Sequence, residues 1–220
     1  VPAALPPTKL LIIGGAEDRV GKAKILKGFV KLAGGRAARI VIIPTASSFQ
    51  DAVVAAYDEV FTRHGAARCA VVNPRDRIAA DDPACARLID EASGVFMTGG
   101  NQLKLSQVFA GTAAGDAIRR AHARGAVIAG TSAGASIMSE FMISLGDEGV
   151  TPRQRSSQLT QGLGLLSGVI IDQHFAQRQR YGRLMSIVAN SPNLVGIGID
   201  EDTAIEVTQS QTFTVLGRGA

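Results

Sequence analysis

Tryptophan is absent from this chain, tyrosine occurs twice, and aromatic residues fill only 5% of its 220 positions. That scarcity removes the aromatic platforms on which nucleic-acid bases stack. The formal charge of +4 and the 23 scattered lysines and arginines therefore do not by themselves indicate a nucleic-acid partner. Cysteine is nearly missing too: Cys69 and Cys85 lack metal-ligand spacing and read as small packing residues. Neither a metal nor a cofactor is expected. No apolar run reaches the roughly 18 residues of a membrane span, because Gly, Lys or Pro interrupts each candidate. A soluble protein without a membrane partner is expected. The N-terminal Val-Pro-Ala-Ala-Leu-Pro-Pro has no signal-peptide pattern and reads as a trimmed end. A cytoplasmic location is the expectation, with secretion left open.

What is present in quantity is hydrophobic residue, 46% of the chain, enough for one substantial core in a single domain over 1–220. Short apolar, β-branched runs alternate with stretches of helical periodicity. Strands are expected at Lys9 to Ile13, Arg39 to Ile43, Ala70 to Val72, Gly94 to Met97 and Ala126 to Ala129, and helices from about Lys22 to Leu32, Phe49 to Arg63, Pro83 to Ala92 and Gly115 to Arg124. Such alternation argues for an α/β fold, a doubly wound parallel sheet with helices on both faces. Further strands are expected at Gly168 to Asp172, Leu194 to Ile199, Ala204 to Val207 and Thr212 to Leu216, with a helix over Phe175 to Ala189. The stretch from about Met142 to Gly168 loses the periodicity and reads as a long loop or irregular excursion.

Ligands collect outside the carboxyl ends of the strands in such sheets. Gly14-Gly15, Gly99-Gly100 and Ser132 all fall there. Ser132 lies between Gly130 and Gly134 in the G-x-S-x-G pattern, where small residues let a strand turn abruptly into a helix and expose the hydroxyl. A serine hydroxyl needs a base, and a carboxylate-held histidine is the usual one. Of the three histidines, His64 closes a helix and His122 lies in a basic helical stretch, both reading as solvated; His174 follows a buried strand directly. The orienting acid has four candidates, Asp172, Glu201, Asp147 and Glu148, with Glu201 ranked first because Ile197-Gly198-Ile199 brings it to the same edge. The N–H groups of Ala133 and of Gly99-Gly100, with Gly100 preferred, are candidate oxyanion donors. Arg178, Arg180 and Arg183, read at helical spacing after His174, would suit the carboxylates of an acidic substrate.

Six stretches in order, Gly14-Gly15-Ala16-Glu17-Asp18, Pro44-Thr45-Ala46-Ser47, Thr98-Gly99-Gly100-Asn101-Gln102, Gly130-Thr131-Ser132-Ala133-Gly134-Ala135, Asp172-Gln173-His174-Phe175 and Gly198-Ile199-Asp200-Glu201-Asp202-Thr203-Ala204, resemble the cyanophycinases. The related aspartyl dipeptidases of the peptidase E kind share the serine stretch. The resemblance implies a class I glutamine amidotransferase-like (flavodoxin-like) fold, a homodimer, and a serine exopeptidase releasing β-Asp-Arg dipeptides from cyanophycin. It makes Ser132 the nucleophile, His174 the general base and Glu201 its orienting acid. It also places Asn101, Gln102, Asp172, Gln173, Arg178, Arg180 and Arg183 around the substrate. Family chains continue beyond the strand near Val215, so native residues are expected to be missing at the ends of this catalytic domain. Three alternatives stand beside this reading: an α-aspartyl dipeptidase, a catalytically silent binding module on the same fold, and an α/β-hydrolase. The last expects its acid before its histidine, whereas Glu201 follows His174.

Overall fold

Residues 9–153, 157–210 and 212–220 are described by a computed structural model. The chain runs β1 (Lys9–Ile13), α1 (Lys24–Leu32), β2 (Arg39–Ile43), α2 (Gln50–Arg63), β3 (Arg68–Val71), α3 (Arg77–Ala80), α4 (Pro83–Glu91), β4 (Gly94–Met97), α5 (Gln102–Phe109) and α6 (Ala113–Ala123). It continues through β5 (Val127–Thr131), α7 (Ala133–Ser136), β6 (Phe141–Gly146), β7 (Ser157–Gln161), β8 (Val169–Gln173), α8 (Tyr181–Asn190), β9 (Val195–Ile199), β10 (Thr203–Thr208) and β11 (Phe213–Gly217). Seven strands form the main sheet in the order β11-β10-β1-β5-β4-β2-β3. The pairings among β1, β5, β4, β2 and β3 are parallel, and β10 pairs antiparallel with both β1 and β11.

Alternate residues of each central strand serve opposite faces, so the aliphatic runs feed two cores. Leu10, Ile12, Val41, Ile43, Val95, Met97 and Ile128 enter one cluster, beneath α4, α5, α6 and α7. Leu11, Ile13, Ile40, Ile42, Phe96, Val127 and Ala129 enter the other, with Phe29 of α1 and Tyr57 and Phe61 of α2. In that second core Phe96 meets Tyr57, Phe61 and Phe29 at ring-centroid separations of 4.6, 5.1 and 5.5 Å. The fold is thus the expected doubly wound α/β sheet covered on both faces.

Three features depart from the sequence reading. The stretch read as an irregular excursion contains the antiparallel hairpin of β6 and β7, which is hard to see because β7, Ser-Gln-Leu-Thr-Gln, is polar and largely exposed. Next, β8 and β9 do not extend the main sheet but pair with each other in parallel. Finally, the helix expected from Phe175 begins only at Tyr181. Residues 175–180 form turns instead, with Gln179 at φ 51° and the Arg180 N–H bonded back to the Phe175 carbonyl at 3.0 Å.

Candidate active site

β1, β5 and β4 are neighbours, so the loops leaving their carboxyl ends stand side by side. The loop after β5 carries Ser132 at φ 52°, ψ −109°, a conformation costly for a residue with a Cβ. Hydrogen bonds on both sides hold it. The Ser132 N–H donates to the Ile13 carbonyl at 3.0 Å, and the Ser132 carbonyl accepts from the N–H groups of Ala135 at 3.0 Å and Ser136 at 3.1 Å. The flanking glycines are there for space: a Cβ on Gly130 would lie 2.2 Å from the Gly134 carbonyl oxygen, and one on Gly134 2.1 Å from that of Met97.

His174 follows β8 directly at φ 49°, its N–H donating to the Gly14 carbonyl at 2.8 Å. Its ring lies against Gly15, where a Cβ would stand 2.3 Å from the imidazole Cε1. Nε2 is 2.9 Å from Ser132 Oγ, and Nδ1 is 2.6 Å from Glu201 Oε1. A carboxylate on Nδ1 selects the tautomer with its proton there, which leaves Nε2 as an acceptor for the serine hydroxyl. Burial lowers the pKa of His174 below its ordinary 6.5, the hydrogen bond to Glu201 works against this, and the charge of Arg178 lowers it further. The ring is therefore a neutral base near pH 7. Glu201 is itself braced, its N–H donating to the Gln177 side-chain oxygen at 3.0 Å.

The turn after β4 closes the other side of the serine. A Cβ on Gly99 would come 3.3 Å from Ser132 Cβ, and one on Gly100, at φ 141°, would stand 2.1 Å from the Ala46 carbonyl oxygen. Among the described residues no backbone carbonyl accepts from the N–H of Gly100 or Ala133. This assembly can deliver a nucleophilic oxygen, accept its proton and offer unpaired donors beside it, the requirements of acyl transfer.

The remaining expected site residues divide by burial. Asn101 caps α5, its side-chain oxygen accepting from the Leu103 N–H at 2.9 Å, and Gln102 donates to the Ile143 carbonyl at 3.0 Å, tying α5 to β6. Asp172 and Arg183 form a buried bidentate pair, with Nε donating to Oδ2 at 2.7 Å and Nη2 donating to Oδ1. The Gln173 amide donates to Ser136 Oγ at 3.1 Å, and its carbonyl and side-chain oxygens accept from Arg180 Nη1 at 2.8 and 2.5 Å. Arg180 also reaches Glu148 at 3.4 Å, while among the described residues its buried Nε has no partner. Of the three arginines expected to face an acidic substrate, Arg178 is the exposed one; Arg180 and Arg183 are buried. They do not form one helical face, because α8 starts after Arg180. Of the four candidate acids, Glu201 meets the imidazole, Asp172 and Glu148 are engaged by arginines, and Asp147 lines a cavity with Glu148, Arg153 and Arg183.

The sequence reading assigned no role to Gln177, Glu17, Thr131 or Tyr57. Glu17 accepts from Tyr57 Oη at 2.5 Å and from Thr131 Oγ1 at 2.6 Å. Nothing in the spacing of these residues announces their meeting, since Glu17 and Thr131 are 114 positions apart. Among the described residues no group of three or more His, Cys, Asp or Glu is placed to hold a metal ion, and no helix is long and apolar enough to cross a membrane.

Comparison with known proteins gives the family and the fold. The chain is 39% identical to the cyanophycinase of Geminocystis herdmanii, over 96% of this chain and 78% of that protein. It is 41% identical to the cyanophycinase of Trichormus variabilis, over 97% of this chain and 72% of that protein. Among solved structures, a peptidase from an acI-B1 Actinobacterium shares the fold with a TM-score of 0.75 at 22% identity, over 96% of this chain and 88% of that one. The model of Peptidase family S51 matches residues 10–215, and the chain belongs to that family.

Proposed function

We propose that this protein is a serine exopeptidase that degrades cyanophycin, releasing β-Asp-Arg dipeptides through an acyl-enzyme on Ser132. One observation carries the mechanism: the unbroken relay from Ser132 Oγ to His174 Nε2 at 2.9 Å and from His174 Nδ1 to Glu201 at 2.6 Å. The substrate rests on the near full-length similarity to proteins named cyanophycinase. In this reading His174 Nε2 takes the hydroxyl proton as Ser132 Oγ bonds to the scissile carbonyl carbon. The Gly100 and Ala133 N–H groups receive the developing oxyanion. His174 then returns the proton to the leaving amine, and a water activated by the same nitrogen hydrolyses the ester. Glu201 keeps the ring oriented and stabilises its transient charge. Asn101, Gln102, Asp172, Gln173, Arg180 and Arg183 form the braced wall of the substrate site, and exposed Arg178 meets a substrate carboxylate. A homodimer, which rests on the family resemblance, and a cytoplasmic location, which is the expectation of the sequence reading, belong to the same proposal.

The test is to incubate insoluble cyanophycin with wild type and with Ser132→Ala and to identify the soluble product by mass. β-Asp-Arg from the wild type, with turnover reduced at least ~10⁴-fold in the variant, is the expected result. Undiminished turnover by Ser132→Ala would sink the mechanism. Cleavage of α-Asp-Xaa dipeptides in preference to cyanophycin would sink the substrate assignment.

A further inference from the structure

The end of β1 and the loop after it touch every segment that carries a member of the relay. Ile13 accepts from Ser132, Gly14 from His174, and Gly15 from the Asp202 N–H at 2.9 Å, next to Glu201. In return, the Asp18 N–H donates to Asp202 Oδ1 at 2.9 Å. Between these attachments stands Glu17, only 5% exposed, with its carboxylate turned inward. Among the described residues no Lys or Arg side chain forms an ion pair with it. Its two oxygens are met by two hydroxyls, Tyr57 Oη on one and Thr131 Oγ1 on the other. Burying a carboxylate without a cation is costly, so its bonds must be specific in geometry.

The two donors differ in what they anchor. Tyr57 is fixed in the aromatic core against Phe96. Thr131 is the last residue of β5, immediately before the nucleophile, and is itself buried. Glu17 therefore links a rigid part of the core to the residue whose backbone aims Ser132. Two acceptor oxygens are needed at once, which a carboxylate supplies and a single amide oxygen does not.

We infer that Glu17 is a positioning residue for the reaction: through Thr131 it sets the distance between Ser132 and His174. The inference rests on the serine-peptidase reading above. A displacement of about 1 Å in a reacting group is enough to slow catalysis about a hundredfold without altering the substrate contacts.

The experiment measures kcat and KM on short soluble β-Asp-Arg oligomers, together with the rate of labelling by a fluorophosphonate, for Thr131→Val, Thr131→Ser, Glu17→Gln and Ser132→Ala. Thr131→Val is nearly isosteric and lacks only the donor, so it keeps the test open should Glu17→Gln fail to fold. The expected result for Thr131→Val is a kcat lowered about ten- to hundredfold, KM within about twofold, and slowed labelling, with Thr131→Ser restored to within about threefold of wild type. Full kcat in folded Thr131→Val or in folded Glu17→Gln, or no restoration by Thr131→Ser, overturns the inference. Turnover by Ser132→Ala would overturn the underlying reading, and this inference with it; an inert Ser132→Ala beside a fully active Thr131→Val overturns the inference alone.

Discussion

The basicity of His174 is a balance between burial, which disfavours the imidazolium, the Glu201 hydrogen bond, which favours it, and the positive charge of Arg178, which disfavours it again. Burial is the largest of these, so the ring loses its proton below its ordinary value of 6.5. If the neutral ring is the base, kcat/KM rises with pH through an acid limb centred below 6.5. Removing the Arg178 charge takes away a lowering influence, so Arg178→Gln shifts the limb toward 6.5, a displacement measured by pH profiles of both proteins. A limb that stays fixed or moves to lower pH contradicts this account. The change in midpoint separates this effect from any part Arg178 plays in binding, which would scale the whole profile without moving it.

At the scale of elements, the abrupt turn from β5 into α7 was readable from five residues because its requirement is steric and local. Gly134→Ala tests that requirement. Its Cβ would stand 2.1 Å from the Met97 carbonyl oxygen, so α7 must lift from β4 and carry Ser132 and the Ala133 N–H with it. Overpacking of this kind costs about 1–3 kcal/mol, seen as a lower urea midpoint, and kcat falls much further than that loss of stability explains. A variant with normal kcat would show that the close approach is dispensable. The elements that were misread are those whose conformation depends on distant partners. Residues 175–180 have a helical sequence, yet Asp200 takes the Ala176 N–H at 2.9 Å and Gln173 draws the Arg180 guanidinium inward. These contacts wrap the segment around His174 and postpone α8 to Tyr181. The Glu201 position was readable from its place after an apolar strand, but Gln177 beneath it was not, because its role depends on that wrapping. Glu17 was hidden for a similar reason, its partners lying on β5 and α2.

Across the whole molecule, the titrating groups define a window of stability. His64 and His122, read from the sequence as solvated, are half-buried, and with His174 all three have pKa values lowered from 6.5, in each case chiefly by burial. The unfolded chain therefore takes up protons before the folded one as pH falls. The histidine contribution is fully present above 6.5, and it declines as pH drops through 6.5 toward the folded values. Asp18 acts with the same sign but in a lower range: backbone N–H groups from Ala23 and Gly21 hold it below 3.8, so its contribution is lost only as pH falls beneath that value. At the alkaline end burial pushes the Cys69 thiol from 9.0 up to about 12, and Cys85 also moves up. Their contribution is present below 9.0 and is lost as pH rises toward the folded values. Stability thus plateaus between these limits, and a loss between about pH 7.5, on the plateau, and about pH 5.5, below it, belongs to the histidines, since their ordinary values alone fall within that interval. Urea midpoints are expected to fall over that interval in the wild type and to fall less in a His64→Gln, His122→Gln double variant. Equal midpoints at the two pH values in the wild type would contradict the assignment of burial as the dominant influence on these rings.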